Sequence, residues 1–170
     1  MLPDPLHPAI VHFPIVFMIL LPIAAAVALW AIRRGSRFRP AWAVPTAFAA
    51  ALTLSAWVAV ETGEGQEERV EDVVAERAIH PHEEAAERFL VLSGVLLVIS
   101  GAGLLGGPIG RAARLATIVG AVGVAGAGAQ VGHTGGKLVY QYGAASAYTQ
   151  SGPNGERPIA REVSRHDDDD

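Results

Sequence analysis

The chain has 170 residues, 51% of them hydrophobic and 18% charged, with a formal net charge of -4. Soluble domains carry about 25% charged residues, so the deficit points to lipid rather than water as the solvent. The absence of cysteine excludes disulfides, thiolate-bound iron–sulfur clusters, covalently attached haem and thiol nucleophiles, and leaves histidine-ligated haem or metal open.

A membrane-spanning helix needs about 20 apolar residues, and four runs qualify. The first, 9–32, begins inside the stretch HPAIVHFP at residues 7–14. Its basic charge follows the apolar run, the reverse of a cleaved signal peptide, so it is read as a retained helix. The turn after it holds Arg33, Arg34, Arg37 and Arg39, and the second run is 41–60. An acidic segment, 61–84, follows. Within it Val70, Val73, Val74 and Ala78 recur at helical spacing and predict a short interfacial helix. The third run, 86–105, carries Glu87 and Arg88 near its start and leads into a turn with Arg111 and Arg114. The fourth, 115–134, is short and rich in glycine and alanine. The polar tail, 144–170, ends SRHDDDD and reads as a flexible, solvated end. No internal sequence repeat is convincing.

These elements predict an all-α integral membrane protein, an up-down four-helix bundle formed by residues 1–143. Short arginine-rich turns stay cytoplasmic. Both termini and the acidic loop are therefore expected on the outer, periplasmic side of a bacterial inner membrane. Trp30, Trp42, Tyr140 and Tyr142 read as interface anchors. There is no G-x-S-x-G motif and no phosphate loop, HPHEE is not the H-E-x-x-H of zinc proteases, and nothing suggests nucleic acid binding.

Every histidine before the tail maps to the outer end. His7 and His12 open the first helix, His80 and His82 lead into the third, and His133 closes the fourth; His166 lies in the tail. Ionisable groups in a span are expensive and usually functional, and neutral imidazole is a standard haem ligand. The pattern predicts haem b held by two of His12, His82 and His133, with His7 and His80 close by. The first and third helices of such a bundle are diagonal, so His12 and His82 are expected to meet across the core. Gly132 and Gly136 would leave room for the porphyrin, and Lys137 and Arg88 would meet its propionates.

Two alternatives stay open. In one the chain is a metal-binding or transport membrane protein, its histidines joined by Glu61, Glu64, Glu83 and Glu84 at an outer zinc or copper site. Without any cofactor, the histidines are ordinary interface groups, the glycines a close helix-packing face, and the protein a structural subunit. In the haem reading the chain is an electron-transfer subunit rather than a stand-alone enzyme. It passes electrons between membrane quinol, with a quinone as a further bound cofactor, and an outer carrier or subunit docked by the acidic loop.

The opening His7, Pro8, Val11, His12, Phe13 and Pro14, with the closing Gly135, Gly136, Leu138, Val139 and Tyr140, resemble a family of small bacterial membrane proteins called domain of unknown function 2231. Its members open on H-P-x-x-V-H-F-P and close on G-G-x-L-V-Y. The two motifs frame the chain up to about Gly143. The resemblance implies four spans and an association with redox modules such as Rieske or cytochrome domains, which favours electron transfer over hydrolysis.

Overall fold

Four long helices carry the fold of the computed structural model, which describes residues 6–149. In chain order the elements are α1 (His7–Ile10), α2 (His12–Arg33), α3 (Phe38–Glu71), α4 (Glu76–Ala102), α5 (Gly107–Tyr140) and α6 (Ser146–Thr149). Each long helix packs on its neighbour in sequence and α5 closes the ring against α2, leaving α2 and α4 diagonal. The expected up-down bundle is therefore present, and the four long helices are apolar and long enough to cross a membrane. The tail from residue 150 onward, His166 included, lies outside the described residues.

Local chemistry sets the breaks. Pro8 and Pro108 stand at the starts of α1 and α5, where a missing N–H costs nothing. Gly35 and Gly107 take positive φ in the two turns at the arginine-rich end, a backbone shape that side chains disfavour. Pro22, Pro45 and Pro81 lie inside helices, which neighbouring helices tolerate in a bilayer.

The acidic segment differs from expectation. Residues 61–84 are not a loop with a separate interfacial helix, because α3 continues to Glu71 and α4 already begins at Glu76. With 34 residues, α3 is about 51 Å long at 1.5 Å per residue, against roughly 30 Å of hydrocarbon. The two helices thus extend beyond their apolar runs as a hairpin. The valine spacing has its cause here: Val74 and Ile79 are buried with Leu138 and Ala144, and Val70, Val73 and Ala78 pack against them. The short α6 is tied to the same hairpin, since Tyr148 donates to Gln66 Oε1 at 2.8 Å.

Large apolar residues face outward as well as inward: Leu21, Leu52 and Leu96 are buried, yet so much apolar surface remains outside that water is a poor solvent for it. Ala25, Ala49, Ala56 and Ala121 are buried, whereas Val98 is 73% and Val119 74% exposed. Small residues inside let helices approach closely, and large apolar residues outside need a lipid solvent. Interior hydroxyls are satisfied locally: Ser93 donates to the Phe89 carbonyl and Thr117 to the Ala113 carbonyl, both at 2.8 Å.

The arginine-rich end departs from expectation in two residues. Trp42 is not an interface anchor; it is fully buried and its indole N–H donates to the Ser100 carbonyl at 3.0 Å. Trp30, 59% exposed, keeps an outward position. Arg114 is not only a topological charge in a turn. It is buried on α5, where its Nε donates to the Gly103 carbonyl at 2.8 Å and its guanidinium to the Leu105 carbonyl at 3.0 Å. The Phe38 ring lies 4.6 Å from its guanidinium carbon. Arg114 thus caps the carbonyls at the end of α4 and pins the start of α3. Arg114→Met is expected to lower stability by about 2 kcal/mol, the scale of charged hydrogen bonds, read as a lower melting temperature in detergent.

Candidate functional site

The site lies at the opposite end of the bundle, where α1, α3, α4 and α5 meet. His7, on the single turn of α1, has its Nδ1 2.8 Å from the Ala59 carbonyl and 3.4 Å from Thr62 Oγ1 of α3. His82, on the first turns of α4, has its Nδ1 3.1 Å from Thr134 Oγ1 of α5. The two imidazoles face each other with ring centroids 6.5 Å apart and planes at 85°. Both are half-buried.

Each ring lies flat against a glycine. A Cβ on Gly63 would stand 3.2 Å from the His7 ring, and one on Gly135 would stand 3.0 Å from the His82 ring. Any side chain there would force the imidazole to move, so glycine fixes how closely ring and helix approach. Gly135→Ala is expected to displace His82 while leaving the helices intact. Imidazole NMR shifts would change and circular dichroism would not.

The two halves of the chain build this site in the same way. In the first half a histidine from the opening helix meets Ala59, Thr62 and Gly63 near the end of α3. In the second half His82 meets Thr134 and Gly135 near the end of α5, with the Val131 carbonyl facing the same imidazole. The offsets are identical, a carbonyl, a threonine three positions on and then a glycine. Sequence comparison misses this correspondence because three scattered positions leave no run of similarity. The dipeptide Thr-Gly near the end of α3 and of α5, at 62–63 and 134–135, is the signal that would have found it.

The other expected site residues fall elsewhere. His12 follows His7 by five positions, about 140° around a helix, and is exposed. His80 precedes His82 by two positions, about 200° away, and is exposed. Of the three expected iron ligands, only His82 faces the interior, and its ring partner is His7 rather than His12. His133 lines a shallow surface depression on α5 with Gly132, Gly136, Lys137 and Tyr140. Those two glycines therefore leave no gap between the imidazoles. Arg88 is exposed and paired with Glu84 one turn earlier. Lys137 reaches a cleft of about 110 Å³ that it shares with Arg77, Pro81, Thr134 and Tyr142.

Among the described residues, no three histidine or carboxylate side chains come together as metal ligands. The glutamates proposed to complete a zinc or copper site, Glu61, Glu64, Glu83 and Glu84, do not join the histidine pair. What the arrangement offers is two imidazoles, from opposite halves of the bundle, each held through Nδ1.

The chain has no significant match among curated proteins or solved structures. A family model described as a predicted membrane protein, domain of unknown function 2231, matches residues 3–147, and the chain belongs to that family.

Proposed function

We propose that this protein is a membrane electron-transfer subunit in which His7 and His82 would hold a haem b. The observation that carries this reading is the imidazole pair, with centroids 6.5 Å apart. Two imidazoles on opposite sides of one ion, with metal–nitrogen bonds of about 2 Å, place their centroids about 6 Å apart. A tetrahedral pair would be about 1 Å closer.

Ligand number supports haem over a bare ion. Structural zinc takes four protein ligands and blue-copper sites three or four. Haem needs only one or two, because the porphyrin supplies four nitrogens of its own. Among the described residues only two imidazoles are gathered here, and that donor set fits haem. His7 and His82 would hold the iron, and the haem would supply one-electron chemistry. Exposed Lys137 and Arg77 line a cleft with Thr134 and would supply cations for the propionates.

The positive-inside rule puts Arg33, Arg34, Arg37 and Arg39 in the cytoplasm. The histidine end and both termini are then periplasmic, and the membrane is the inner membrane of a bacterium. Quinol in the bilayer is the electron source or sink on one side. The acidic hairpin of α3 and α4 would dock a basic carrier or another subunit of a redox complex on the other.

The test is a reduced-minus-oxidised visible spectrum of the purified protein, with haem and metals quantified. A sharp α-band with about one haem per chain is the expected result. Copper or zinc without such a band favours a bare ion. A folded protein with neither is a cofactor-free subunit.

A further inference from the structure

We propose that Thr134 and the Ala59 carbonyl are positioning groups that hold both imidazoles in one tautomer, protonated on Nδ1. Both Nε2 atoms thereby keep a lone pair that an electron-pair acceptor could take. This deepens the reading above and rests on it only for the identity of that acceptor.

The proton positions follow from what each partner can do. A carbonyl only accepts, so at 2.8 Å from Ala59 O the His7 Nδ1 carries the proton and donates. A threonine hydroxyl has one proton to give. That of Thr134 is directed to its own helix, with Val131 O at 3.0 Å and Gln130 O at 3.2 Å. Its oxygen therefore accepts from His82 Nδ1 at 3.1 Å. A neutral imidazole protonated on Nδ1 has its lone pair on Nε2.

Free histidine favours the opposite tautomer, so the arrangement selects the less common form twice. A hydrogen bond at the remote nitrogen is also how imidazole ligands are oriented and tuned. The two locks are unequal. His7 has a backbone carbonyl that no side-chain substitution removes. The hydroxyl of Thr62, 3.4 Å from Nδ1, already donates to Val58 O at 2.8 Å, so it is dispensable. His82 depends on Thr134, and the Val131 carbonyl facing the ring supplies only a weaker second acceptor.

The test is proton–nitrogen correlation NMR of the full chain in detergent, with ¹⁵N-labelled imidazoles, at about pH 8 where free histidine is neutral. In the wild type both His7 and His82 are expected to carry the proton on Nδ1. Nε2–H on either ring overturns the proposal. Thr134→Val is expected to move His82 toward the Nε2–H form while His7 is unchanged, Thr134→Ser to restore it, and Thr62→Val to alter neither ring. An unchanged His82 in Thr134→Val overturns the role of Thr134. Ferric haem is then added to the same wild-type sample. Loss of both Nε2 resonances supports the proposal and the haem reading together. If both tautomers are as stated and haem leaves the resonances in place, the tautomer lock stands and the haem reading fails.

Discussion

His7→Ala and His82→Ala are each expected to abolish the haem α-band, whereas His12→Ala, His80→Ala and His133→Ala retain it. The contrast follows from position. His7 and His82 face each other across the two halves of the bundle, and the other three are exposed. Loss of a hydrogen bond behind a metal ligand lowers affinity by roughly 10- to 100-fold, and loss of the ligand itself should exceed that. Haem titration in detergent reads the effect directly. Both rings are only half-buried, so the variants should remain folded, as circular dichroism and gel filtration would verify. Added imidazole should restore the band in the two sensitive variants, because it replaces the missing donor without repairing anything else. Equal loss in His12→Ala or His133→Ala would move the centre to the bundle surface and contradict the assignment.

Gly110→Ala is expected to be the most damaging single-methyl change at the other end of the bundle. Gly110 is buried, and a Cβ there would overlap the backbone carbonyl of Leu105, with the Arg114 guanidinium 3.2 Å away. A flexible side chain could step aside; a backbone oxygen in the tight turn between α4 and α5 cannot do so cheaply. The same carbonyl accepts from Arg114 at 3.0 Å, so relieving the overlap also strains the cap. Overpacking of this kind costs about 1–3 kcal/mol, and the coupled hydrogen bond puts Gly110→Ala at the upper end. The measurement is thermal unfolding in detergent beside Arg114→Met. If the two residues act as one unit, the double variant should lose less than the sum of the single losses.

The fold was legible because its signal is composition over long runs. Four apolar stretches separated by short polar turns define four spanning helices, and their order defines the bundle. Hydropathy does not report where a helix stops once it leaves the apolar run. The acidic segment therefore read as a loop, although Val70 at the end of α3, Val74 in the turn and Ile79 at the start of α4 meet in a small core with Leu138. The buried roles of Trp42 and Arg114 are hidden from the sequence for a related reason. Each belongs to a residue type common at membrane interfaces, and only the packed structure distinguishes an anchor from a buried staple.

The site was half legible. That histidines converge at one end of the bundle follows from topology. Which of them face inward depends on helical phase, and a change of one or two positions turns a side chain from the core to lipid. His7 stands ahead of the apolar run that begins at residue 9, so the apolar face of the first span does not report where its side chain points. The supporting residues Thr62, Gly63, Thr134 and Gly135 carry no metal-ligand signature, and their significance appears only when both halves are seen to use them alike.

Electron paramagnetic resonance of the oxidised, haem-loaded protein tests the central claim most directly. Two imidazoles with planes at 85° on one ferric ion predict a single low-spin signal of the highly anisotropic type that perpendicular axial ligands produce. It should be lost in both His7→Ala and His82→Ala. A high-spin signal, a rhombic low-spin signal of parallel imidazoles, or a signal indifferent to either substitution would contradict a centre shared by the two halves of the chain.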